Sequence, residues 1–186
     1  VNPKLLFGQL VPARHVPADF HRRMMNWRCK SGTFRMNVAL SELPDFTCLP
    51  GRDQALHHTA GIILAPDASY MENAYVEARR HGWSKHPVVE MLIPSTIDTT
   101  LAKDGHHVAS LFCQHFDYDL PDGRSWDDER DAAADAIIDT VNQFAPNFAD
   151  AVIARQILSP LDLEREFGLI GGDIFHGALD FNQLFS

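Results

Sequence analysis

Between Thr33 and Leu40 the chain alternates strictly: Phe34, Met36, Val38 and Leu40 are apolar, while Arg35 and Asn37 between them are polar. Successive strand side chains point to opposite faces, so this pattern demands a half-buried β-strand, one face on a core and the other free. Such a strand needs neighbours. Residues 60–65 (AGIILA) are a short, wholly apolar run, and Val88–Ile93, Ile97–Leu101 and His107–Tyr118 read as three more strands. Lys103-Asp104-Gly105 suits a hairpin turn between the last two. Residues 1–15 read as a turn and one helical turn, and Pro17 opens a helix over roughly 17–27 with Phe20, Met24 and Trp27 on one face. A second helix is expected over 69–81, with Ser69 and Glu72 as a capping box, Met71, Ala74, Tyr75 and Ala78 as its apolar stripe, and Gly82 as its stop. The longest runs from Ser125 to about 144, with Ala134, Ile137, Ile138, Val141 and Ala145 inward, and a shorter one follows over 147–156. Strands and helices do not alternate regularly. The expected class is α+β: an antiparallel or mixed sheet of about five strands with helices packed mainly on one face.

At 186 residues the chain can bury one ordinary core, and 45% apolar with 22% charged residues is the balance of a globular domain. The formal net charge is −9, and basic residues gather no further than pairs such as Arg22-Arg23 and Arg79-Arg80, which argues against nucleic acid as a partner. Cys29, Cys48 and Cys113 are widely spaced and odd in number, so neither a disulfide framework nor a cysteine zinc site is expected, and a reducing, cytoplasmic setting is the simplest one. No apolar run is long enough to span a bilayer. The chain begins at Val1-Asn2 and stops at Phe185-Ser186 just after an apolar segment, which reads as a piece of a longer protein.

The punctuation is densest in residues 159–177, SPLDLEREFGLIGGDIFHG. Ser159 can cap a helix that has Pro160 at its first position and Asp162 and Glu164 in its first turn, and Gly168 can end it. Gly171-Gly172 then permits backbone geometry or a close approach denied to other residues, and carries Asp173 and His176 to one place. Two readings stand for that pair. His176 can be an acid, a base or a hydrogen-bond donor to a ligand, with Asp173 beside it; or Asp173 caps a turn and His176 is a satisfied core histidine. Elsewhere, His107, Cys113 and His115 share one face of the expected strand 107–118, the basis of a metal-dependent alternative; ligands two apart on a flat strand need help from elsewhere, so no metal site is assigned. Cys113 and His115 would stand side by side without a third group to orient them, a poor nucleophile arrangement. Neither GxGxxG nor GxxxxGK[ST] occurs, and Gly168–Gly172 does not follow a strand and open a helix, so no phosphate cradle is present.

Several runs carry a resemblance: RQILSPLDLEREFGLIGGDIFHGALDFNQLF (155–185), RCKSGTFRMNVAL (28–40), LPDF (43–46), VASLFCQH (108–115) and NQFAPNF (142–148). Together they resemble the phytoene dehydrogenase-related family of FAD-dependent oxidoreductases, in its pyridine nucleotide-disulfide oxidoreductase domain-containing branch. The resemblance implies that this chain is the middle, substrate-binding part of a longer flavoenzyme. Residues 1–27 would be a helical lead-in from an FAD-binding domain and 28–186 the substrate domain, a sheet with flanking helices walling a hydrophobic pocket over the flavin ring. FAD would belong to the longer parent, with none expected bound by this piece alone. The partners implied are a hydrophobic small molecule, the FAD-binding segments of the same chain and a second copy in a homodimer, with a membrane-peripheral parent compatible with such a substrate. The site residues implied are His176 first, with Asp173, Gly171 and Gly172 close to substrate and flavin, then Arg155 and Gln156. The rival expectation from another class is a free-standing α+β ligand-binding or dimerisation module without catalysis.

Overall fold

The computed structural model describes residues 1–184; Phe185 and Ser186 lie outside the described residues. The alternating run forms β1 (Thr33–Leu40), with Phe34, Met36, Val38 and Leu40 buried and Arg35, Asn37 and Ala39 half-exposed. With β2 (Ile62–Leu64), β3 (Val89–Leu92), β4 (His107–Gln114) and β5 (Val152–Leu158) it makes a five-stranded sheet in the order β2-β3-β4-β1-β5. Every neighbouring pair is antiparallel. Met36, at the centre of β1, lies opposite Leu111 of β4 on one side and Ile157 of β5 on the other. That register stacks all three on one face.

The helices are α1 (Pro3–Leu5), α2 (Ala18–Met25), α3 (Ala68–His81), α4 (Trp126–Phe144), α5 (Phe148–Ala151), α6 (Pro160–Phe167) and α7 (Phe181–Leu184). Ser125 caps α4 by accepting from the Asp127 amide at 3.1 Å, and three carboxylates in the first turn complement the helix dipole. From α4, Trp126, Ala133, Ala134, Ile137 and Val141 join the sheet's buried face in one cluster, with Phe148 of α5 behind them. Each large side chain removed from water there contributes about 1.5–3 kcal/mol. No helix among the described residues is long and apolar enough to cross a membrane.

Five of the sequence expectations need correcting. Residues 97–101 are not a strand: turns of 3-10 helix at Pro94–Thr96 and Thr99–Leu101 replace it. Pro94 cannot donate to a ladder, and Asp98 binds the Thr100 amide (3.0 Å) and hydroxyl (2.6 Å), satisfying the backbone locally. The turn at 103–105 does form, with the His106 amide on the Lys103 carbonyl at 2.9 Å. The expected helix over 147–156 stops at Ala151, and the chain straightens into β5 along the open edge of β1. Helix α3 is capped by Asp67, which accepts from Tyr70 at 2.7 Å, rather than by Ser69; of its expected stripe, Ala74 and Ala78 are buried whereas Met71 and Tyr75 are exposed. β4 ends at Gln114 because His115 adopts a left-handed backbone, φ 65°. The chain before Ala18 is richer in helical turns than expected, with a π-turn at Leu6–Leu10 and a 3-10 turn at Ala13–His15.

Candidate functional site

The segment after β5 is built as its sequence suggests. Ser159 and Asp162 form a reciprocal capping box, Asp162 Oδ2 accepting from the Ser159 amide (2.9 Å) and hydroxyl (2.7 Å), and Gly168 ends α6 in the left-handed region. Gly171 and Gly172 follow with φ 67° and 61°. A Cβ on Gly171 would lie 2.6 Å from the Cys29 carbonyl oxygen, and one on Gly172 would lie 2.6 Å from Pro160 Cα. The close approach these glycines permit is therefore to the protein's own backbone. Asp173 is fully buried, accepts from the Ser31 amide (3.3 Å) and the Phe175 amide (2.9 Å), and its backbone bridges Gly32 at the start of β1. It ties the 170–177 turn to the sheet.

His176 has φ 63°, and its carbonyl accepts the Trp27 indole N–H at 2.9 Å. Its ring Nδ1 is buried with no hydrogen-bond partner among the described residues. Buried polar atoms are nearly always paired, and among the described residues of the turn this nitrogen is the buried side-chain atom that is not. Arg155 and Gln156, neighbours on β5, point to opposite faces. Arg155 reaches the helical layer and pairs with Asp131 (3.3 Å) and Asp135 of α4. Gln156 stands on the other face and accepts from Asn37 at 3.1 Å. Asn37 lies four residues along β1 from Thr33, about 13 Å of strand. The structure thus gathers Asp173 and His176 with both glycines, and leaves Arg155 and Gln156 apart from them.

A cavity of about 580 Å³ opens beside the turn, where β1 begins and β4 ends. Lys30, Thr33, Tyr75, Gln114, His115 and Phe175 are among its walls. The Thr33 hydroxyl is buried without a hydrogen-bond partner among the described residues. The His115 ring meets Tyr75 edge-on at 5.3 Å, and burial lowers its pKa against an opposing pull from Asp117, which keeps the imidazole neutral near pH 7. Burial pushes the Asp117 carboxyl up, while Arg79 holds it with bonds of 2.9 and 2.7 Å. Phe175, 60% exposed, approaches Phe112 with ring centroids 6.5 Å apart.

Beyond Phe175, Phe112 stands on the free face of the sheet, where it lines a second, smaller depression with Arg35, Ser110 and Leu92. Arg35 lays its guanidinium over the Phe112 ring at 5.1 Å and donates to Ser110 Oγ at 3.1 Å, while Gln114 donates to Glu90 at 2.8 Å. Ile63 and Leu92 carry the surface to the far edge, 65% and 57% exposed. This face is amphipathic, and the cavity beside it sets the rings of Tyr75, His115 and Phe175 among polar and charged groups that include Lys30, Gln114 and Asp117, a volume and mixture that can take a medium-sized organic ligand. Sequence reasoning missed Thr33, Arg35 and Phe112, which were legible as the alternate positions of two strands. It weighed His115 only beside His107 and Cys113, as a metal ligand or a partner to a thiol, and no local pattern marks the left-handed turn that sets it at the cavity wall.

No family model matches the chain. It is similar to pyridine nucleotide-disulfide oxidoreductase domain-containing protein 2 of Rattus norvegicus, 38% identical over 189 aligned residues that cover 99% of this chain and 32% of the relative. The same-named protein of Mus musculus matches at 38% with the same coverage. The chain thus spans about a third of the length of the curated relatives it matches.

Proposed function

We propose that this chain is the substrate-facing part of an FAD-dependent oxidoreductase of the phytoene dehydrogenase-related kind, acting on a lipophilic organic molecule by hydride transfer to or from flavin. The observation that carries the reading is the alignment of essentially the whole chain with proteins named for an oxidoreductase domain. The amphipathic free face of the sheet supports it, since a sheet covered by helices on one side has its other side available as a pocket wall. In this reading residues 28–186 form the substrate domain, and residues 1–27 lead in from the FAD-binding part.

The Gly171-Gly172 turn does not fit the nucleotide half of FAD. Gly171 and Gly172 abut Cys29 and Pro160, leaving no room for a pyrophosphate against that backbone. The flavin is therefore assigned to other segments of the parent, and no step at its ring is assigned to residues of this chain. What this chain contributes is a wall that binds, orients and keeps water out, with Phe175 and Phe112 as apolar contacts and His176, whose ring Nδ1 is buried without a partner in the turn that carries Phe175, proposed as the polar group to test first.

The test is anaerobic stopped-flow measurement of flavin reduction in the full-length protein against a panel of lipophilic substrates. His176→Ala should slow reduction at least 10-fold at unchanged FAD content. Wild-type kinetics in that variant would sink the assignment of the 171–176 turn to the pocket. A second reading, a ligand-binding module without catalysis, is favoured by one observation: the 580 Å³ cavity is walled within this chain alone. An upstream reading frame that encodes a strand-GxGxxG-helix unit decides for the enzyme.

A further inference from the structure

A second cleft, of about 360 Å³, lies between the end of α2 and α7. Three arginines, Arg22, Arg23 and Arg28, line it together with Trp27, Asn26 and Asn182, and its walls include no carboxylate. Its charge is anomalous for this chain. The first thirty residues carry six lysines and arginines against the single acid Asp19, whereas the remaining 156 carry ten against twenty-four acids.

Arg28 already pairs with Asp180 at 2.8 Å. Arg22 and Arg23 make no ion pair among the described residues; Arg23 only rests its guanidinium over Phe20, 5.6 Å from the ring centroid, which leaves its N–H groups free. The Asn26 and Asn182 side-chain amides likewise make no hydrogen bond among the described residues, so further donors remain. The end of α2 opposes an anion with its carbonyl dipoles, but those amount to roughly half a negative charge against two uncompensated guanidinium charges. The arginines win.

From this we infer that the cleft binds a phosphoryl group, as free phosphate or as a phosphate monoester. Guanidinium forks arriving from Arg22 and Arg23 on the helix and from Arg28 beyond it suit a tetrahedral group, whose oxygens point in several directions. A planar carboxylate offers two coplanar oxygens and satisfies one fork well. The face of Trp27, whose indole N–H is engaged by His176, supplies an apolar shelf for an ester group. Arg28 stands between this cleft and the cavity beside the sheet and lines both, whereas Arg22 and Arg23 line the cleft and not that cavity, and the proposal does not depend on the substrate reading.

Calorimetric titration of the intact chain at low ionic strength tests it, with inorganic phosphate, phenyl phosphate and benzoate as probes. Phenyl phosphate should bind at least 10-fold more tightly than benzoate. Arg22→Ala/Arg23→Ala should weaken it at least 10-fold, while Arg14→Ala, an exposed cation outside the cleft, changes it less than 2-fold. Phenyl phosphate exceeding phosphate assigns the site to an ester through Trp27, and equal affinity assigns it to free phosphate. Equal binding of benzoate and phenyl phosphate, unchanged affinity in the double variant, or no binding below about 10 mM overturns the proposal. Both arginines are exposed, so circular dichroism of the double variant should match wild type.

Discussion

At Gly172 the backbone leaves no room for a methyl group: φ is 61° and a Cβ would lie 2.6 Å from Pro160 Cα. Left-handed strain costs about 1–3 kcal/mol by itself. Gly172→Ala should therefore destabilise the chain by roughly 2–4 kcal/mol in urea unfolding, most of it from strain and overlap with Pro160. His115 makes a different prediction. Its pKa is lowered by burial, so the unfolded chain takes up protons first as pH falls through about 6.5 and stability declines below that value. His107, lowered by burial and then by the charges of His58 and His106, adds to the same trend. Asp117, with its carboxyl pushed up, acts with the opposite sign, losing stability as pH rises above the unfolded carboxylate range. His115→Asn, which tolerates a left-handed backbone, should reduce the decline between pH 6.5 and 5 without abolishing it, as read from midpoints at several pH values.

At the scale of elements, β5 joins the sheet to the helical layer. Its Ile157 enters the core while Arg155 bridges to Asp131 and Asp135, both of them well exposed. Exposed pairs of this kind contribute about 0.2–1 kcal/mol. Arg155→Ala should cost no more than that in stability and leave flavin reduction in the full-length protein unchanged; a large loss of activity would return Arg155 to the substrate site. The strand was hidden because Ala154, Arg155 and Gln156 are comfortable in helices. Val152, Ile153 and Ile157 were the β-branched signal against that reading. Residues 97–101 failed in the other direction: they looked apolar enough for a strand, but Pro94 and the Asp98–Thr100 bonds close local turns and leave Ile97 75% exposed.

For the whole molecule, the strand order puts β4 in the middle and β1 beside it, β1 hydrogen-bonded along both edges by β4 and β5, while three-residue β2 ends the sheet. Amides of β1 should exchange with solvent only through global unfolding and those of β2 at least 100-fold faster, as measured by native-state hydrogen exchange. The α+β class, the alternating strand at 33–40, the capped helix at 160–167 and the turn at Gly171–His176 were all determined by sequence alone. Each is local: alternation, caps and left-handed glycines act over a few residues, and such patterns state which side chain must face inward. Which strand lies beside which, and what the glycines touch, was decided only by tertiary structure. The edge of β1 turns 152–158 into a strand because unpaired backbone groups need partners, and partners 115 residues apart leave no mark on either segment. For the same reason the turn that reads as an opening for a ligand is closed by Cys29 and Pro160, and the open wall is formed instead by the faces that β1 and β4 turn away from the core.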